Sequence, residues 1–146
     1  MPQSPTGPAS PLANPPASQK PAYQMAAMLI GIGIGHLAAP KPFDTIVPPE
    51  LPGSPRFYTY ASGVAEVGVG ALLLVPRTRR LAATAAAALF LAVFPANLHM
   101  VRMWWNKPGI QKWPMRIGAL ARLPLQLPMV VQALRIRRNA PLPRAH

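Results

Sequence analysis

The chain has 146 residues, a formal net charge of +12, 21 prolines, no cysteine and only three acidic side chains. Charged residues of both signs make up 12% of it, where about 25% is usual in soluble domains, so an ordinary soluble globular domain fits poorly. The lack of cysteine excludes thiol–disulfide exchange through this chain, and basic residues that sit at the ends of apolar stretches instead of in one patch argue against nucleic acid.

In chain order, residues 1–21, "MPQSPTGPASPLANPPASQKP", are proline-rich and nearly devoid of large apolar side chains. Such a segment buries too little surface to offset its ordering entropy and reads as a disordered tail. It lacks the basic start and apolar core of a secretory signal. Four apolar stretches follow, at about 22–39, 58–75, 81–101 and 115–134. Each is roughly 27 to 31 Å long as a helix, close to the ~30 Å hydrocarbon core of a bilayer. The expectation is an all-α integral membrane four-helix bundle over residues 22–135, followed by a basic tail over 136–146.

The first stretch carries "GIGIGH", with Gly31 and Gly35 as a small-xxx-small pair for close helix packing and His36 after it. The 40–57 loop is rich in proline. In the second stretch Glu66 is the sole charged residue, and Ser62, Gly63, Glu66 and Gly70 fall at spacings of three and four, so the carboxylate faces a neighbouring helix and not lipid. The link "PRTRR" is so short that the second and third helices must be antiparallel neighbours. Asn97 and His99 stand ~200° apart on a helical wheel. Both cannot point inward unless Pro95 bends the helix, and Asn97 is the better inward candidate. Trp104, Trp105 and Trp113 suit a membrane interface. The fourth stretch places Gly118, Arg122 and Gln126 four apart as a second polar face.

His36, Glu66, Asn97, His99 and Arg122 all lie within roughly 3 to 12 Å of the side of the bundle that carries the first and third loops. Opposite charges at similar depth are costly apart, so Arg122 is the expected partner of Glu66. His36 reads either as an interfacial hydrogen bonder or as a third member of that cluster. Pro95, Pro124 and Pro128 remove backbone donors, and the carbonyls they free give Arg122, Asn97 and Gln126 a role in structural repair. Lys20, Arg77, Arg79, Arg80, Arg135, Arg137, Arg138 and Arg144 on the side of the termini outnumber Lys41, Arg56, Arg102, Lys107, Lys112 and Arg116 on the other. The positive-inside rule then places both termini in the cytoplasm.

"GHLAAPKPFDTIVPPELPGSPRFYTYASGVAEVGVGALLLVPRTRRLAA", "FPANLHM" and "RLPLQ" together resemble the DoxX-like family of small bacterial membrane proteins. The resemblance spans about residues 36–126. It implies a four-helix bundle in the plasma membrane, associated with redox processes and often acting beside a redox enzyme or another membrane subunit. The family's polar positions fall on His36, Glu66, Asn97, Arg122 and Gln126. Two functional classes remain open. One is a non-catalytic accessory subunit whose polar cluster locks the bundle; the other is a quinone-binding oxidoreductase subunit that uses Glu66, Arg122 and His36. The pattern has neither a metal-binding cluster nor a phosphate-cradling glycine loop.

Overall fold

The computed structural model describes residues 17–109 and 112–141. Most of the proline-rich tail and the last five residues lie outside the described part. Six helices run in order: α1 (Lys20–Ala38), α2 (Pro40–Asp44), α3 (Pro55–Leu74), α4 (Arg79–Ala92), α5 (Phe94–Trp105) and α6 (Trp113–Asn139). Among the described residues the fold is entirely helical. Three helical stretches are long and apolar enough to cross a membrane: α3, α4 with α5 taken together, and α6. The 19-residue α1 is not one of these three, because Lys20, Gln24 and His36 dilute its apolar run.

Local chemistry sets the boundaries. Gly53, with φ of 93°, turns the chain in the left-handed region that favours glycine. Ser54 then caps α3 by accepting a hydrogen bond from the Phe57 backbone N–H, and Pro55 fills a first-turn position where its missing N–H costs nothing. The third apolar stretch is two helices, broken at Val93. Pro95 explains the break, since it has no N–H to donate and its ring clashes with the carbonyl four residues back. Pro124 and Pro128, by contrast, sit inside an uninterrupted α6. That helix also runs on to Asn139, so the first residues of the expected basic tail are helical. The short α2, inside the proline-rich loop, was not expected from the sequence.

Helices α1 and α3 share the most extensive seam, α3 borders α4, and α4 with α5 packs on α6. Contact between α1 and α6 is slight, and α3 and α6 occupy opposite corners of the bundle. One end of the bundle, the tail end, holds the start of α1, the short link and the end of α6. The other, the loop end, holds residues 39–54 and the turn between α5 and α6.

The apolar core lies towards the tail end. It is built largely from alanine, with Ala22, Ala26, Ala82, Ala83, Ala86, Ala87 and Ala133 around Met25, Leu29, Leu73, Phe90 and Ile136. Small side chains let helix axes approach closely. Towards the loop end the interior becomes polar, and α5 has no buried residue.

Arg79 is 1% exposed and has no carboxylate partner among the described residues. Its guanidinium donates to the Leu73 carbonyl at 2.7 Å, the Leu74 carbonyl at 3.0 Å and Gln19 Oε1 at 3.0 Å, and it lies over the Tyr23 ring at 4.9 Å. Thr78 adds a hydroxyl bond to the Leu72 carbonyl at 2.7 Å. A cation and a hydroxyl therefore satisfy the open carbonyls at the end of α3, where the helix dipole is negative. Of the three arginines in "PRTRR", Arg77 and Arg80 are exposed flanks, whereas Arg79 is an internal clamp between α3 and α1.

Candidate functional site: two polar pairs towards the loop end

Glu66 is buried on the α3 face that meets α1, together with Gly63 and Gly70. This is the stripe expected from the spacing of Ser62, Gly63, Glu66 and Gly70. Its partner, however, is His36 and not Arg122. His36 Nδ1 and Glu66 Oε2 are 2.7 Å apart, with side chains 12% and 7% exposed. The contact lacks in-line hydrogen-bond geometry, and neither atom has another hydrogen-bonding partner among the described residues. Ser62 Oγ donates to Glu66 Oε1 at 3.1 Å, and the edge of Phe43 from α2 meets the His36 ring at a centroid distance of 4.1 Å.

Glycines bring the acid and base together: on α3 they are the expected Gly63 and Gly70, but on α1 the glycine is Gly33 and not the expected Gly31 and Gly35. A Cβ on Gly33 would fall 2.7 Å from the Gly63 carbonyl, and one on Gly63 would fall 2.9 Å from the His36 Cβ. Gly31 has open space around it, and Gly35 meets only Phe43 at ordinary contact distance. The seam is thus made by Gly33 against Gly63, with Gly70 closing on Ile30 and the Ala26 carbonyl. Gly33 lies two residues from both Gly31 and Gly35, ~200° round the helix and on nearly the opposite face.

α2 is latched over this end of the seam. Asp44 at its end accepts from the Arg56 guanidinium at 2.8 Å and from the Thr59 hydroxyl at 2.7 Å. The Arg56 hydrogen bond holds the Asp44 carboxyl below the usual carboxylate range, helped by Thr59 and opposed by partial desolvation.

The second pair joins α5 to α6. Asn97 Nδ2 donates to Gln126 Oε1 at 2.8 Å, and Gln126 Nε2 donates to the Phe90 carbonyl at the end of α4. Gln126 therefore supplies a donor to the last turn of α4, one residue before Leu91, whose carbonyl is the one that Pro95 leaves without its donor, so the repair expected at the proline falls beside the freed carbonyl and not on it. Asn97 is the inward residue, while His99 is half-buried on α5 and joins neither pair. At the loop end Arg116 donates to the carbonyls of Trp104 and Lys107 and lies near the rings of Trp105 and Trp113.

Arg122 is brought to neither pair. It is exposed, as are Gly118 and Ala121. The buried line of α6 runs through Ala119, Gln126 and Ala133, so the expected Gly118, Arg122 and Gln126 face is buried at Gln126 alone. The Glu66–Arg122 pairing fails because α3 and α6 are diagonal in the bundle. Phe43, which the sequence reading left without a role, completes the first pair by packing on His36, and Arg79, expected only as a basic membrane flank, is buried with Gln19 at the tail end. Basic residues after a helix end are a sequence signal for carbonyl capping, but Arg77, Arg79 and Arg80 all lie in that region and the signal does not choose between them.

The arrangement comprises an acid–base pair in a glycine seam and an amide pair at a proline break. Among the described residues no group of His, Cys, Asp and Glu could hold a metal ion. No curated protein and no solved structure matches the chain. Residues 25–137, from α1 to α6 and including both polar pairs, match a family described as a domain of unknown function, DUF8561. With most of its length matched, the chain belongs to the DUF8561 family.

Proposed function

We propose that this chain is a four-helix integral protein of the bacterial plasma membrane, with both termini cytoplasmic, and that it serves as a non-catalytic subunit beside a redox enzyme, as its DoxX-like resemblance implies. One observation carries the non-catalytic reading: the buried polar side chains of both pairs contact one another across helix seams. His36 closes on Glu66, and Asn97 on Gln126, which in turn takes the Phe90 carbonyl. The glycine seam leaves no room for even a methyl group at Gly33 or Gly63, and a substrate site needs a chamber. A groove of about 550 Å3 lies towards the tail end between α1 and α6, lined by Ser18, Pro21, Leu127, Val131 and Arg135 among others; neither His36 nor Glu66 lines it. Buried polar groups at bilayer depth are costly unless paired, so such joints hold helices in one arrangement.

A quinone-binding reading has one observation in its favour. His36 Nδ1 and Glu66 Oε2 lack aligned hydrogen bonds, and a quinone oxygen could take one from an imidazole N–H of His36. Arg122 drops out of that site, which would then consist of His36, Glu66 and Ser62.

Extraction of the chain from native membranes in mild detergent tests both readings. The subunit reading expects co-migration with a further protein on a native gel, and no quinone in an organic extract of the chain purified alone. Migration at its own mass throughout would overturn the subunit role. A stoichiometric quinone lost in both His36→Ala and Glu66→Gln would move the function to the second reading.

A further inference from the structure

Arg122 lies within a candidate span, and its side chain has neither a counter-ion nor a hydrogen-bonding partner among the described residues. Arg122 lies nine residues into α6 from Trp113, about 13 Å along the helix axis. Its side chain is exposed, and the ion pairs of the described residues, His36–Glu66, Asp44–Arg56 and Glu50–Arg102, all leave it out. An arginine facing hydrocarbon is expensive and is met in membranes facing protein, water or a counter-charge. The exposed residues around it run Gly118, Ala121, Arg122 and Leu125, at spacings of three and four along one side of α6. A Cβ on Gly118 would meet nothing within 4 Å. Only 17% of the apolar window of α6 is buried within the chain. A cation flanked by two small residues on an open helix side is the shape that another helix can approach closely.

The chain's own acids identify what that helix must bring. There are three acidic side chains in the whole sequence, Asp44, Glu50 and Glu66. Asp44 is held by Arg56 and Thr59, and Glu66 is buried against His36 in the α1–α3 seam. Glu50 lies in the loop before α3, 3.8 Å from Arg102 and outside the helices. A second copy of this chain therefore has no free carboxylate to place against Arg122. Resting on the membrane-subunit reading above, we infer that the Gly118, Ala121, Arg122 and Leu125 side of α6 docks a transmembrane helix of a different protein, one that carries an Asp or Glu near the bilayer midplane.

The test uses the full chain in phosphatidylcholine vesicles with synthetic Leu/Ala-rich transmembrane peptides, which bear Glu, Lys or Leu at the central position. Association is read by fluorescence energy transfer. The wild-type chain should bind the Glu peptide roughly tenfold more tightly than the Leu peptide, the scale of a polar contact between helices in lipid. Arg122→Lys should retain that preference, R122Q should abolish it, and Arg122→Glu should transfer it to the Lys peptide. Retained helicity and thermal stability of R122Q would show that the loss is not unfolding. Equal binding of the Glu and Leu peptides by wild type, or a preference that survives R122Q, would overturn the proposal. So would its disappearance when phosphatidylglycerol replaces part of the phosphatidylcholine, which would assign Arg122 to lipid phosphate. Ready disulfide dimers of Leu125→Cys in native membranes would assign this side to a second copy instead. If the chain co-migrates with another protein while these arms fail, the docking assignment alone is lost; if it migrates alone, the subunit reading itself fails.

Discussion

Glu66 has one neighbour that can answer its charge, and the consequence can be measured. The His36–Glu66 contact at 2.7 Å joins two helices through side chains that are 12% and 7% exposed. Breaking one side of such a pair strands a buried polar group, whereas removing both removes the penalty. His36→Leu and Glu66→Gln should each destabilise the bundle, and the double substitution should recover part of the loss, with a coupling of about 1 to 3 kcal/mol in a denaturant titration of the detergent-solubilised chain. The same cycle between Glu66 and Arg122 should give additive effects within about 0.5 kcal/mol, as for separated sites. Additivity in the first cycle, or coupling in the second, would reinstate the partner that depth alone suggested. The orientation of Glu66 was legible because the 62, 63, 66 and 70 spacing is a property of one helix. Its partner was not, because depth and opposite charge favoured Arg122, and only the order of helices around the bundle, which puts α1 and not α6 against α3, selects His36.

Helix ends tell a parallel story. Arg79 closes the last carbonyls of α3 and reaches Gln19 at the start of α1, so one side chain fixes a helix end and a helix–helix contact together. Arg79→Met should leave the Leu73 and Leu74 carbonyls without their charged donor. The expected cost is about 1 to 3 kcal/mol, the penalty for orphaned buried polar groups. Arg77→Met and Arg80→Met, at exposed positions, should stay within about 0.5 kcal/mol of wild type. Thermal unfolding of the three variants in one detergent compares them, and equal effects would mean that all three act only as surface charge. The short link was readable as a tight antiparallel connection, but burial of its middle arginine depends on how closely α1 and α3 meet, which their glycines set. The break at Val93 was half legible: Pro95 announced a disturbance, but that Gln126 would reach across to the Phe90 carbonyl beside it depends on how α6 packs on α4.

Across the whole molecule the two halves differ in kind. The tail-end half is packed with alanine, and the loop-end half is joined by polar pairs. The concentration of polar residues in one half was readable from counting along four stretches, because depth accumulates at a fixed ~1.5 Å per residue. Their division into two separate pairs was not, since it follows from which seams they occupy. The absence of cysteine makes the proposed topology directly testable. Leu51→Cys and Arg77→Cys, both at exposed positions, are to be labelled from outside intact cells with a membrane-impermeant maleimide. Position 51 should react and position 77 should not. The reverse pattern would invert the protein, and labelling at both would defeat the spanning assignment between them.

The hold of Gln126 on both the Asn97 amide and the Phe90 carbonyl has a consequence in time. Chains are made from the N-terminus, and domains begin to organise during synthesis. The α1–α3 seam and the Arg79 clamp draw only on residues up to position 79, so they can close while the rest of the chain is still being made. The broken end of α4 cannot. Its acceptor and the amide beside it wait for a glutamine 29 residues beyond Asn97 and 36 beyond Phe90, in the last of the described helices. Arrival of α6 is therefore the event that completes the bundle, and a chain cut short before it keeps an unfinished joint in the middle of its third apolar stretch.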